Sequence, residues 1–542
     1  MSSGRGPEPV VVAPTAAPAA PVDDCIDRID RIDRWTLVAL GVVAAALRLV
    51  RLSATSLWVD EVRAVLRPDG RPFFDSVRQS FGPLDPPLSY VLTSASRHLP
   101  FGLEASVRLP YAIAGAFEVV FAYLVMRRLA RRRLEAVVVG VLLAFAPFAI
   151  RWGQEARYYV LFSMLHLAAW WALLRVIDRR RYAYTTWGVV LTLAVYTNVL
   201  AWLVLAVQSV VLAVVLIRRS RTGDPVRSDW WRVVGAAAIP VLAFLPWALY
   251  EARYWVAARR RGMPIEFNRE VLDVKLNATL YVDVWRWLSA NAFVPLAVTA
   301  AVLAVLAFAG SRWRLAGAFS AYFAFVVAVM VGLSRLMHTY LAFRRIEFLV
   351  PVALGLVALG VGASSDRLAH WLGDRPALRV GVAGALVAVL VTLSVVADVT
   401  YFRTEKTDYR SAAAAVRAAP GAAVVVLGSF NEVGNAPWAP SIRAYFRAAG
   451  VERPLRSLDD LGSVPPAGDA IWITGAPGPD ARFQTEAVND IDRLQFLVGD
   501  RSLNTFSIPV YVLRSRYDSP AELASQAQAV GKLPYVVPVA RP

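Results

Sequence analysis

About eleven apolar runs divide the chain, each near the roughly 20 residues a helix needs to cross the hydrocarbon core of a bilayer. They cover residues 35–52, 107–126, 134–150, 158–177, 184–198, 200–217, 233–250, 290–310, 315–333, 346–362 and 379–397. Backbone polar groups in lipid must be satisfied within the segment, so such runs fold as helices. The pair at 184–217 reads equally well as one long helix or two short ones. Composition agrees with lipid as the main solvent. The chain is 57% hydrophobic over 542 residues, against about 45–50% in soluble domains, and its mean hydropathy is +0.48.

The net charge of +17 is carried almost wholly by arginine, with lysine only at 275, 406 and 532. Much of it lies in clusters between apolar runs, the pattern of a topology signal rather than of nucleic-acid binding. Arg127, Arg128, Arg131, Arg132 and Arg133 form one cluster. Arg179, Arg180 and Arg181 form a second, and Arg218, Arg219 and Arg221 a third. These loops are expected on the cytoplasmic side, which puts the N-terminus inside. Residues 53–106, 251–289 and everything after about 400 are then outside. The expected location is the plasma (inner) membrane.

The expected fold is a multi-spanning α-helical membrane domain of about eleven transmembrane helices over 35–398, carrying a small C-terminal α/β extracytoplasmic domain over 399–515. Val424–Leu427, Ala470–Ile473 and Val510–Leu513 are short apolar runs bounded by Gly, Asp or Pro, as buried strands are. Tyr409–Ala419 and Ser441–Ala449 read as helices between them. Residues 516–542 read as a loose tail. Residues 1–34 read as a Pro- and Ala-rich disordered tail that ends in a short amphipathic Asp-Arg-Ile stretch. Cys25 is the single cysteine, which excludes an intramolecular disulfide and a multi-cysteine metal site.

Polar chemistry in a bilayer protein belongs at an interface or a cavity. Directly after the first run comes Ser56-Leu57-Trp58-Val59-Asp60-Glu61. Its acidic pair has the makings of a general base or a cation site, and equally of a solvated turn beside an interfacial Trp. In Asp85-Pro86-Pro87-Leu88-Ser89-Tyr90 the double proline fixes an extended segment and then permits a helix. Asp85 there suits either helix capping or chemistry. Glu155 and Arg157, in Gln154-Glu155-Ala156-Arg157-Tyr158-Tyr159, make that turn more polar than an anchor requires. His338 precedes Arg344, Arg345 and Glu347 near the tenth run. Two arginines at a helix start suit a phosphate; pairing of Arg345 with Glu347, or snorkelling to headgroups, would also explain them.

Together these segments resemble the polyprenyl-phosphate-sugar-dependent GT-C glycosyltransferases, relatives of the protein O-mannosyltransferases and the bacterial aminoarabinose transferase. Leu57–Glu61 resembles the family's Trp-x-Asp-Glu, Asp85–Tyr90 its Pro-Pro-Leu-x-Tyr, and Val107–Pro110 with Ala114-Gly115 its following helix. Gln154–Tyr158 resembles its Ser-Gln-Glu-Ala-Arg turn, and Arg344–Pro351 its Arg-Tyr-Leu-Leu-x-x-x-Pro helix start. Glu405–Arg410 is similar to the Lys-x-Asp-Trp-Arg stretch that opens the soluble domain of some members. The departures are Asp85 where His is common, Gly153 where Ser is usual, and Arg345-Ile346-Glu347 in place of Tyr-Leu-Leu. Glu118 matches no family role, and pairing with Arg108 or a place in the cavity wall are both open.

The resemblance implies inverting transfer of a sugar from a polyprenyl-phosphate donor to a hydroxyl of a glycan, glycolipid or protein. In it Asp60 is the general base and Glu61 orients it or helps hold a divalent cation, magnesium or manganese, with Asp85 as a further ligand. Glu155, Arg157 and His338 line the substrate site, and Arg344 and Arg345 hold the lipid phosphate. The Ala- and Arg-rich, Lys-poor composition fits a bacterial source and a cell-envelope acceptor. Two other classes stay open: a non-catalytic membrane scaffold with an external binding domain, and a lipid or sugar transporter.

Overall fold

The computed structural model describes residues 30–57, 61, 86–260, 294–336, 343–373, 375–403, 409–418, 422–427, 445–446, 450, 455–457, 467–475, 495–498 and 510–531. It is mainly helical. The first helix, α1 (Arg31–Leu49), begins inside the Asp-Arg-Ile stretch rather than after it, because Asp30 caps it by accepting the Asp33 N–H at 2.8 Å. The next helices are α2 (Leu88–Ser96) and α3 (Leu103–Ala130). The run at 134–150 is two helices rather than one, α4 (Arg133–Ala144) and α5 (Pro147–Gly153), bent by 57°. Pro147 has no N–H for the helix ladder and takes the first position of a new helix.

Helix α6 (Tyr158–Ile177) follows. The 184–217 run is likewise two helices, α7 (Ala183–Val195) and α8 (Ala201–Arg221). Asn198 supports the break by accepting the Leu200 N–H at 2.9 Å. The bundle continues with α9 (Arg227–Arg260), α10 (Val294–Leu306), α11 (Trp313–Leu336), a 3-10 segment (Phe343–Leu349), α12 (Val350–Trp371) and α13 (Pro376–Arg403). Among the described residues, seven helices are long and apolar enough to cross a membrane, or eight if α4 and α5 count as one bent span. The chain is therefore a multi-pass membrane protein. Helices α7 and α10, at 13 residues each, fall short of a full crossing.

Helix α3 is the hub and packs on α1, α4 and α6. Its far end carries the first arginine cluster. There Arg133 bonds Asp33 at 3.0 Å, Arg128 bonds Asp178 and Arg132 bonds Asp366 at 2.8 Å. Arg179 of the second cluster reaches Asp229 at 2.8 Å.

Beyond α13 lie α14 (Tyr409–Ala418) and five strands: β1 (Ala422–Leu427), β2 (Leu455–Ser457), β3 (Gly468–Gly475), β4 (Gln495–Val498) and β5 (Val510–Tyr517). They form one sheet in the order β2-β1-β3-β5-β4. Strand β1 is parallel to β2 and β3, while β5 is antiparallel to β3 and β4. The apolar runs at 424–427, 470–473 and 510–513 thus lie side by side, with Val426 opposite Trp472 and Trp472 opposite Leu513.

The stretch read as a loose tail from 516 contains α15 (Pro520–Gly531), which packs on β3 and β5. Ser519 accepts the Glu522 N–H at 3.1 Å, Glu522 accepts the Asp518 N–H at 2.7 Å, and Leu523 is fully buried. The Ser-x-x-Glu spacing is that of a capping box, here with Glu522 reaching the N–H one residue before the cap.

Helices α10 and α12 meet at Gly360, where an added Cβ would lie 1.8 Å from the Leu303 carbonyl oxygen. Backbone cannot yield as a side chain does, so Gly360→Ala should cost at least about 1–3 kcal/mol. Thermal unfolding of the purified variant checks this, with a clear fall in melting temperature expected against Gly381→Ala, whose surroundings are open.

Candidate functional site

The arginine near the start of α3 organises the end of the bundle opposite the arginine clusters. Arg108 is 1% exposed. Its Nε and Nη2 donate to the two carboxylate oxygens of Glu61 at 2.8 and 2.7 Å. Its Nη1 donates to the carbonyls of Leu52 and Thr55 at 3.0 and 2.8 Å, and Nη2 to that of Ser56 at 2.9 Å. Glu61 also accepts the Ala156 N–H at 2.8 Å. A bidentate guanidinium–carboxylate pair has fixed geometry, so residues 52–56, Glu61, the start of α3 and the 154–157 turn are stapled at one point. Arg108 is paired with Glu61 and not with Glu118.

The 154–157 turn is itself tied to α1. The Gln154 side-chain amide donates to the carbonyls of Val50 at 2.7 Å and Arg48 at 3.2 Å, satisfying acceptors at the end of α1. Glu155 is 2% exposed and lies 3.7 Å from Arg151. Arg157 is 5% exposed, with its guanidinium over the rings of Tyr158 and Tyr159 at 5.2 and 5.7 Å. Close by, the Tyr111 hydroxyl meets the Ser89 and Thr93 hydroxyls at 2.7 Å each, which seats α2 against α3. The double proline leads into α2 as its sequence implies, and the Leu88 N–H donates to the Tyr196 carbonyl at 2.9 Å.

The structure brings together Glu61, Glu155 and Arg157. Asp60, Asp85 and His338 lie outside the described residues, and so does the whole stretch between Glu61 and Pro86. Of Arg344 and Arg345 the backbone is described, in the 3-10 segment that leads into α12. Both oxygens of Glu61 are engaged by Arg108 and the Ala156 amide, an arrangement that suits an orienting carboxylate better than a cation ligand. Among the described residues, no three acidic, histidine or cysteine side chains converge as a metal site requires.

One layer deeper is a polar cluster that the sequence reading did not assemble. Arg48 is fully buried and donates to the carbonyls of Leu143 and Ala144 at 3.3 and 3.4 Å. It lies 4.0 Å from Glu118, which accepts from Ser163 at 2.5 Å. Glu347 and Asp398, 1% and 5% exposed, lie within electrostatic reach of the same guanidinium. A Cβ on Gly153 would lie 3.1 Å from Arg48 Cδ and Nε, and one on Gly115 would lie 2.4 Å from Nε. The Gly153 departure therefore makes room for Arg48. The signal available in sequence was an arginine inside an apolar run.

The bundle also holds an apolar, partly open cavity of about 610 Å³, and none of the predicted site residues among those described lines it. His166, Trp170 and Tyr322 are at its wall, with His166 Nε2 and the Tyr322 hydroxyl 2.9 Å apart.

Replacing Arg108 with Met should cost about 3–5 kcal/mol, because Glu61 would be left as an unpaired buried charge. The double variant Arg108→Met with Glu61→Met should recover part of that loss. Melting temperatures of wild type and the two purified variants check both statements.

Residues 85–250 match the family model for dolichyl-phosphate-mannose-protein mannosyltransferases. The chain superposes on ArnT from Cupriavidus metallidurans in the apo state with a TM-score of 0.50 at 14% identity, covering 92% of this chain and 99% of that one. ArnT from the same organism bound to undecaprenyl phosphate gives 0.44 at 15%, covering 89% and 98%. The archaeal oligosaccharyltransferase AglB from Archaeoglobus fulgidus, in complex with an inhibitory peptide and a dolichol-phosphate, gives 0.41 at 13%, covering 77% and 64%. No curated protein matches the sequence. The family segment carries α2 through α8 and most of α9, including Arg108 and the 154–157 turn, and the apo ArnT fold extends along nearly the whole chain. On these two counts a segment of the chain is similar to the dolichyl-phosphate-mannose-protein mannosyltransferases, and the fold of the chain is similar to that of apo ArnT.

Proposed function

We propose that the chain moves a sugar from a polyprenyl-phosphate donor to an acceptor hydroxyl on the extracytoplasmic face, with inversion at the anomeric carbon. The observation that carries this reading is the staple of Glu61 to Arg108 and the Ala156 amide. It fixes the residue next to Asp60 against the buried 154–157 turn.

In this reading the acceptor oxygen attacks the anomeric carbon while the bond from that carbon to the phosphate oxygen breaks. The acceptor proton passes to Asp60, and polyprenyl phosphate leaves with the bonding pair. Glu61 sets the position of Asp60 through the chain and is not itself the base. Arg344 and Arg345 hold the phosphate and stabilise the charge it gains. Glu155 and Arg157 shape the sugar pocket, with Asp85 and His338 at its rim. No step is routed through a metal ion.

The side assignment rests on the arginine clusters. Arg128, Arg132, Arg133 and Arg179 meet at the far end of the bundle from Glu61, as cytoplasmic loops should. The Glu61 end and the sheet domain then face outward across the plasma membrane. A glycan, glycolipid or protein of the cell envelope is the acceptor class.

Transfer from a panel of labelled polyprenyl-phosphate sugars, in membranes holding equal amounts of wild type or Asp60→Asn, tests the reading. One donor should be consumed by wild type, and the variant should lose about 10²–10⁴-fold in turnover, the usual worth of a positioned base. A variant as active as wild type would remove Asp60 from the mechanism, and a wild type that consumes no donor would remove the transferase reading.

A further inference from the structure

The segment that bears the proposed base is gripped from two sides, and the second grip comes from the sheet domain. The Leu57 N–H donates to the Tyr445 hydroxyl at 2.6 Å, and that hydroxyl donates in turn to Glu104 at 3.0 Å. Arg410 Nη2 donates to the same Glu104 oxygen and to the Ser53 carbonyl at 3.1 Å. The Arg410 backbone N–H donates to the Ser56 hydroxyl at 3.1 Å. Leu57 is 2% exposed, Ser56 3%, and Tyr445 and Glu104 8% each. Buried bonds of this kind carry a penalty when one partner is removed.

The membrane side of the grip is Arg108, which holds the carbonyls of Leu52, Thr55 and Ser56. The sheet-domain side holds the Leu57 amide, the Ser56 hydroxyl and the Ser53 carbonyl. The Arg108 set ends at Ser56, four residues before Asp60, and the sheet-domain set at Leu57, three residues before it. Burial, reinforced by the neighbouring charge of Glu104, pushes the Tyr445 phenol above its ordinary range, so its hydroxyl stays protonated as the link between Leu57 and Glu104. A further bond, Arg51 Nη1 to the Phe402 carbonyl at 2.8 Å, joins the start of the same segment to the end of α13.

We infer that Tyr445, Arg410 and Glu104 are positioning residues of the transferase site, through which the sheet domain sets the placement of the Ser53–Leu57 segment and so of the proposed base. This rests on the function proposed above. The sheet domain is then a working part of the active site rather than an appended binding module.

The test uses the full chain in lipid vesicles, with Tyr445→Phe, Arg410→Gln, Arg410→Lys and Glu104→Gln, each first shown by its melting curve to be folded. Hydrogen exchange at the Leu57 amide is read independently of activity. Tyr445→Phe removes its acceptor and should speed its exchange at least tenfold, while amides on α6 stay as in wild type. With the donor identified above, Tyr445→Phe and Arg410→Gln should lower kcat at least tenfold with donor KM within twofold, and Arg410→Lys should recover part of the loss. Unchanged exchange at Leu57, or an unchanged kcat in folded variants, overturns the inference. So does a loss confined to KM. If wild type transfers no sugar, the proposed function fails. Faster exchange at Leu57 would then still establish the contact, and the positioning role would fall with the function.

Discussion

A buried arginine with two carboxylate bonds and several carbonyl bonds can be satisfied by only one local arrangement of chain. Arg108 imposes that arrangement here. Its guanidinium is removed from water, so each N–H needs an acceptor, and the acceptors come from residues 52, 55, 56 and 61. Glu61 repeats the demand from the other side and finds the Ala156 amide. Three stretches far apart in sequence are thereby fixed to one another before any substrate is considered. Such preorganisation is what the proposed transfer would need, since its chemistry is mostly placement and charge stabilisation.

The layer beneath makes the same use of charge. Arg48 occupies the space that Gly115 and Gly153 leave open, and Glu118, Glu347 and Asp398 surround it from α3, the 3-10 segment and α13. Two of the departures from the motifs that the sequence resembles, Gly153 and Glu347, belong to this one cluster. Glu347 also connects it to the segment carrying Arg344 and Arg345, so the upper and lower layers share a frame. Hydrophobic packing between helices is weak as a guide in lipid, and buried polar contacts of this kind carry much of the specificity.

The helices were legible because twenty-residue apolar runs have few alternatives in a bilayer. Their breaks were legible only in part. Pro147 stood in the sequence as a reason to split 134–150, yet apolar length hid it, while at 184–217 one long helix and two short ones both stayed open and the Asn198 turn decides for two. The strands at 424, 470 and 510 stood out by composition, whereas α15 went unread because its Ala-rich face lacks a strong apolar stripe. Its Ser519–Glu522 box was the available signal. At the site, motif order located Glu61, Glu155 and Arg157, but residue type alone could not show that Glu61 is locked by Arg108. Nor could it show that Tyr445 and Arg410 reach back to residues 53–57, because contacts across some 350 residues leave no local trace.

A base held by fixed contacts opposite a bound leaving group permits attack from one face only, and the configuration of the product records that geometry. The most direct measurement is therefore the anomeric configuration of the sugar in the product made by wild-type chain from its polyprenyl-phosphate donor, read by NMR coupling constants. The account predicts inversion relative to the donor. Retention would require a covalent sugar–enzyme intermediate or a second displacement, and would contradict a single step driven by Asp60.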